Sequence, residues 1–156
     1  MNTTVSRYQA VLKTGCTCLF LLALASCSSL GGGESKKDQE ALLASVDVFN
    51  SAIRWGDSRQ AALWIIPQLQ DYFWTLTDEL QDHVRIMDYE VRHISSIATA
   101  DKQPSAEIIL RYRYYHTNDP HLQTRTIHER WKYSEKEKVW QLVQHDLQQL
   151  LPAAKQ

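Results

Sequence analysis

The order of hydrophobic periods along this chain predicts an α+β fold, with N-terminal helices packed on a curved antiparallel sheet of about four strands. Three observations carry that prediction. From Asp38 to about Leu80 apolar residues recur at helical spacing, and after about Gln81 they alternate with period two. The alternating runs are separated by short polar turns, so that successive strands pair with their neighbours as a meander.

The first helix is read from Leu42, Val46, Phe49 and Ile53, which share one face. Gly56 supplies a left-handed C-terminal cap, and Asp57 with Gln60 resembles the N-cap and capping box of a second helix. That helix is expected through Ala61, Ala62, Leu63, Trp64, Ile65 and Ile66 until Pro67, whose missing amide suits a break or the first turn of another helix. Leu69, Tyr72, Phe73, Leu76 and Leu80 continue a helical stripe, with Trp74 off it. An aromatic stripe of this spacing reads as core.

The strands begin with Val84 and Ile86, after which Tyr89 and Val91 alternate out of phase. This predicts an irregularity near Met87-Asp88. After the polar turn Ala100-Asp101-Lys102-Gln103-Pro104, Ala106, Ile108, Leu110, Tyr112 and Tyr114 take one face of a second strand. Asn118-Asp119-Pro120 is turn chemistry. The third strand puts Ile127, Glu129, Trp131 and Tyr133 on one face, and Thr124, Thr126, His128, Arg130 and Lys132 on the other. The charged turn Ser134 to Lys138 leads to Val139-Trp140-Gln141-Leu142-Val143. The domain is therefore expected over residues 38–146, and residues 147–156 as a tail whose short helical turn frays.

The N-terminal part has a different character. Met1 to Lys13 carries Arg7 and Lys13 and no acid, and Leu19 to Ala25 is apolar but far short of the roughly 20 residues a spanning helix needs. Leu24-Ala25-Ser26-Cys27 resembles a bacterial lipobox. The resemblance implies that residues 1–26 are a signal peptide and that Cys27 becomes the lipidated, palmitate-bearing first residue of the mature chain. Several acyl chains hold a protein on a membrane without a spanning helix. Ser28 stands where an Asp tends to retain lipoproteins in the inner membrane, so the resemblance implies the outer membrane, facing the periplasm. Residues 27–37 form a glycine-rich polar stretch with the composition of a flexible tether.

Composition narrows the function classes. Without its leader the chain keeps about 130 residues, the size of one domain. Subtracting the two leader bases from 17, against 18 acids, leaves a net charge near −3 and argues against nucleic acid as a partner. All three cysteines lie at or before the lipobox, which leaves the domain without a disulfide or a thiolate nucleophile.

Phe49 to Asp57, followed by Ala61-Ala62 and Pro67, is similar to the opening of nuclear transport factor 2-like domains, and Trp131 and Trp140 around a charged turn resemble the closing hairpin of small lipoproteins with that fold. The resemblance implies a cone-shaped domain, a fold shared with ketosteroid isomerase, and in its enzymes acids, histidines and tyrosines inside the cone. It also implies that a homodimer through the open sheet face is allowed. Glu129, between Ile127 and Trp131 on an apolar face, is then the candidate for a general acid or base, with Tyr112 and Tyr114 as hydroxyl donors. The plainer alternative has Glu129 paired with an arginine such as Arg111, or placed at the sheet rim.

The six histidines have no compact metal-ligand spacing, and no cofactor motif is present. Arg111, Arg113, Arg125, Arg130 and Lys132 form either a basic patch on the outer sheet face or a solvated charged face. The expectation is a non-catalytic envelope lipoprotein, held to the membrane by Cys27, that binds another envelope protein or a small apolar ligand. The alternative is a periplasm-facing isomerase, dehydratase or hydrolase-type enzyme with its site in the cone.

Overall fold

A computed structural model describes residues 32–97 and 103–153. The lipobox, Cys27 and the start of the tether lie outside the described residues, as does most of the turn before the second strand. The compact unit Lys37–Gln156 contains every buried hydrophobic residue among those described, from Leu42 to Leu150. It thus has a core of its own.

The helices are α1 (Gly32–Trp55), α2 (Ser58–Ala62) and α3 (Gln70–His83), and the strands are β1 (Val84–Ile97), β2 (Ser105–His116), β3 (Asp119–Ser134) and β4 (Val139–His145). They pair in sequence order as one antiparallel sheet, β1-β2-β3-β4. This is the expected α+β architecture. No helix among the described residues is long and apolar enough to cross a membrane.

Helix α1 turns Leu42, Val46, Phe49 and Ile53 inward, as their spacing predicts. It starts at Gly32, so residues 32–37 are helical where a tether was expected. No helix breaker stands between Gly33 and Trp55, and Glu34, Lys36 and Lys37 are good helix formers. At its other end Gly56 (φ 72°) donates to the Ile53 carbonyl at 3.2 Å, and Asp57 donates to the Ala52 carbonyl at 2.8 Å. These two bonds make a Schellman cap. The Asp57 carboxylate then accepts from the Gln60 amide at 3.0 Å and opens α2.

Helix α2 is shorter than the sequence suggests. Ile66 is extended (φ −61°, ψ 147°), as residues before proline prefer, and Pro67 opens a 3-10 turn that leads into α3. The Leu142 amide donates to the Trp64 carbonyl at 2.7 Å, and the Ile66 amide donates to the Leu142 carbonyl at 3.3 Å. Residues 64–66 therefore cover the outer edge of β4.

Strand β1 slips register between Ile86 and Asp88, where the out-of-phase alternation predicts it, and again between Val91 and His93. These slips keep Val84, Ile86, Tyr89, Val91 and Ile94 against the core. On β2 the faces alternate as expected, with Ala106, Ile108, Leu110, Tyr112 and Tyr114 buried. On β3 the residues Ile127, Glu129 and Trp131 point inward. Residues 147–150 after β4 are docked on the core where a tail was expected: Leu147 and Leu150 of a 3-10 turn are fully buried, and His128 donates its amide to Asp146 at 2.7 Å.

Candidate functional site

Trp131 fills the centre of the space between helices and sheet. Phe49 meets it edge-on at 5.8 Å, Trp64 lies 6.4 Å away, and Phe73 packs on Phe49 at 6.2 Å. Glu129 is set into this aromatic core at 1 % exposure. Its Oε2 accepts from the Trp131 indole N–H at 2.8 Å and from the Asn50 amide at 3.3 Å, while its Oε1 has no partner. Asn50 also donates to the Val46 carbonyl at 2.8 Å, and the Tyr112 hydroxyl donates to Asn50 Oδ1. Asn50 is thus the link between Glu129 and Tyr112.

Burial disfavours the carboxylate and pushes the Glu129 pKa up to about 8, against the two hydrogen bonds that favour ionisation. Burial likewise holds the Tyr112 hydroxyl well above its ordinary value, followed by the repulsion of Glu129. Arg111 is not the partner of Glu129: it lies on the opposite sheet face and bonds Glu90 at 2.6 Å. Nor does Glu129 sit at the rim. Tyr114 does not join the cluster, and its hydroxyl donates to Gln123 at 3.3 Å.

His145, the cross-strand partner of Glu129, is the polar interior residue that sequence reasoning missed. Its ring stacks on Tyr72 at 5.9 Å and meets Phe73 edge-on at 6.2 Å, with both nitrogens unpartnered. Burial lowers its pKa to about 4, so it stays neutral. On β4 it falls on the parity opposite to Trp140 and Leu142, and only the register slip between Arg130 and Trp131 turns it inward, so alternation alone gave no signal for it. Chemically, the interior holds a neutral acid and a neutral imidazole in a packed environment, with the Glu129 carboxyl and both His145 ring nitrogens buried.

Across β1 and β2 the outer sheet face is a lattice of opposite charges. Arg113 grips Asp88 with two nitrogens, and Glu90 holds Arg92 at 2.7 Å as well as Arg111. Arg125 is in register with Tyr112, on the parity of the inner face, so it does not join Arg111 and Arg113. His128 faces Glu107 at 3.5 Å and His121 binds Asp119, both at the surface. No group of three potential metal ligands occurs among the described residues.

An open cleft of about 490 Å³ lies where the corner between α1 and α2 faces α3 and the start of β1. Ile53, Leu80, Val84 and Ile86 form its apolar wall, while Arg54 and Arg85 add charge. Gln81 holds the corner together by donating to the Gly56 carbonyl at 3.0 Å and to the Ser58 hydroxyl at 2.7 Å. Trp55 stands on the rim at 73 % exposure, with the Arg54 guanidinium 4.8 Å from its ring centre, and Met87 is half exposed opposite. A smaller cleft on the other flank of Trp55 is lined by Val48, Ser51 and Asp57.

No family model matches the chain, and no curated protein does. Among solved structures it is similar to ActVI-ORFA of Streptomyces coelicolor, with a TM-score of 0.53 at 8 % identity over 70 % of this chain and 94 % of that one. It is also similar to a SEC-C motif containing protein of Rhodopseudomonas palustris, with a TM-score of 0.50 at 10 % identity over 62 % and 70 % of the two chains. At such identities the likeness is one of fold. ActVI-ORFA is nuclear transport factor 2-like, and the helices followed by a curved, open four-stranded sheet agree with that shape.

Proposed function

We propose that this chain is a non-catalytic binding protein of the bacterial envelope, lipidated at Cys27 and held at the outer membrane facing the periplasm, with the cleft beside Trp55 as its working surface. One contrast carries the reading. The groups that would do chemistry in the cone are sealed, with Glu129 at 1 % exposure, whereas Trp55 at 73 % exposure borders an open cleft. A large aromatic ring left in water is costly unless something covers it, and Trp is favoured as an anchor in binding surfaces.

Photo-cross-linking in intact cells tests this reading. With p-benzoylphenylalanine at position 55 a discrete adduct is expected, and at position 126 on the outer sheet face none. Equal adducts from both positions, or none from 55, would remove the cleft from the proposal. The enzymatic alternative draws on the raised pKa of Glu129 and needs the cone to admit solvent. Under the binding reading, Glu129→Gln leaves the adduct at position 55 unchanged.

A further inference from the structure

We propose that the cleft beside Trp55 takes an anionic amphiphile, a single alkyl chain ending in a carboxylate. The chain lies along Ile53, Leu80, Val84 and Ile86, and the carboxylate meets Arg54 and Arg85. The proposal rests on the binding reading above and specifies the ligand of that same site.

Charge is the first argument. Both cations line the cleft, and no Asp or Glu does. Arg92, Arg111 and Arg113 on the sheet each hold a carboxylate, but neither Arg54 nor Arg85 has one within ion-pair distance among the described residues. Asp88, an acid close enough to feel Arg54, is already gripped by Arg113. The cleft therefore carries uncompensated positive charge beside apolar surface.

Pre-organisation is the second. Arg85 spends one terminal nitrogen, Nη1, on the Gln81 and Val84 carbonyls, which fixes the plane of its guanidinium and leaves Nε and Nη2 unpartnered. A guanidinium held in this way offers the fork geometry that suits a carboxylate. Arg54 is steadied against the Trp55 ring. Size is the third: about 490 Å³ lies in the range of small-ligand sites and suits one alkyl chain better than a folded partner.

The segment Lys37–Gln156, which carries the whole described core, is titrated with decanoate below its micelle concentration while nitrogen-15 NMR follows the Trp55 indole and the Arg54 and Arg85 side chains. A saturable shift confined to these groups is expected. Octanoate, two methylenes shorter, should bind roughly fifteenfold more weakly, since each buried methylene is worth about fourfold. Decyltrimethylammonium should bind at least tenfold more weakly than decanoate, and Arg54→Gln or Arg85→Gln should weaken decanoate about fivefold or more with circular dichroism unchanged. Equal binding of the cationic amphiphile, or no saturable shift at Trp55, overturns the proposal. If either occurs while the adduct from position 55 persists in cells, only the ligand class has failed. Loss of that adduct removes the binding reading itself.

Discussion

Glu129 and His145 set an unusual pH dependence of stability through opposite shifts. Glu129 binds its proton more tightly folded (about 8) than unfolded (4.5), so its stabilising effect is complete below pH 4.5 and lost as pH rises to about 8. His145 is depressed from 6.5 to about 4, so stability is lost as pH falls through that window. Between about pH 4.5 and 6.5 the folded and unfolded states each hold one proton on this pair, and the two effects cancel. From pH 6.5 to 8 stability should fall by about 1.4 kcal/mol per pH unit. Glu129→Gln should abolish that slope, as denaturant titrations at several pH values would measure. A slope equal to that of the native protein would mean Glu129 is not the titrating group. Trp131→Ala, which empties the centre of the core, should cost about 3–5 kcal/mol by the same assay. A cost below about 1 kcal/mol would mean that the ring is not packed there.

Helix ends and strand edges are where local sequence and tertiary context part. Gly56 and Asp57 were legible as caps because their chemistry is local. Gly56→Ala forces a side chain into a left-handed backbone and should cost about 1 kcal/mol, and Asp57→Ala about the same through the lost cap, both measured as shifts of the denaturation midpoint. The strand faces of β2 and β3 were legible because alternation is strict. What was not legible depended on distant partners. Residues 64–66 leave the helix to pair with Leu142, nearly eighty positions away, and Leu147 and Leu150 dock a segment that reads locally as a tail. Strand β1, an edge of the sheet with no further strand beside it among the described residues, carries two register slips, a device that disfavours pairing with another sheet.

At the scale of the whole molecule, the fold class came from the order of periods, but the outer cleft did not. Its lining is drawn from α1, α2, α3, β1 and, through Tyr115, β2, so no contiguous motif announces it. Glu129 was recognisable as a charge in an apolar alternation; Asn50, which links it to Tyr112, and His145 were hidden in their own helical and strand patterns. Anchoring also belongs to this scale. Cys27→Ser should shift the protein from the outer membrane to a soluble fraction, or leave an uncleaved precursor in the inner membrane. Outer-membrane sedimentation unchanged by that substitution would contradict the anchor.

If the space between helices and sheet is a packed core, the working surface lies outside it. Hydrogen exchange at the Trp131 indole N–H, bonded to Glu129 inside that space, tests it most directly. In a packed core this proton exchanges only through global unfolding, at a rate that follows denaturant as the most protected backbone amides do. Exchange orders of magnitude faster and insensitive to denaturant would show solvent reaching Glu129 in the folded state, and would return the interior to consideration as an active site.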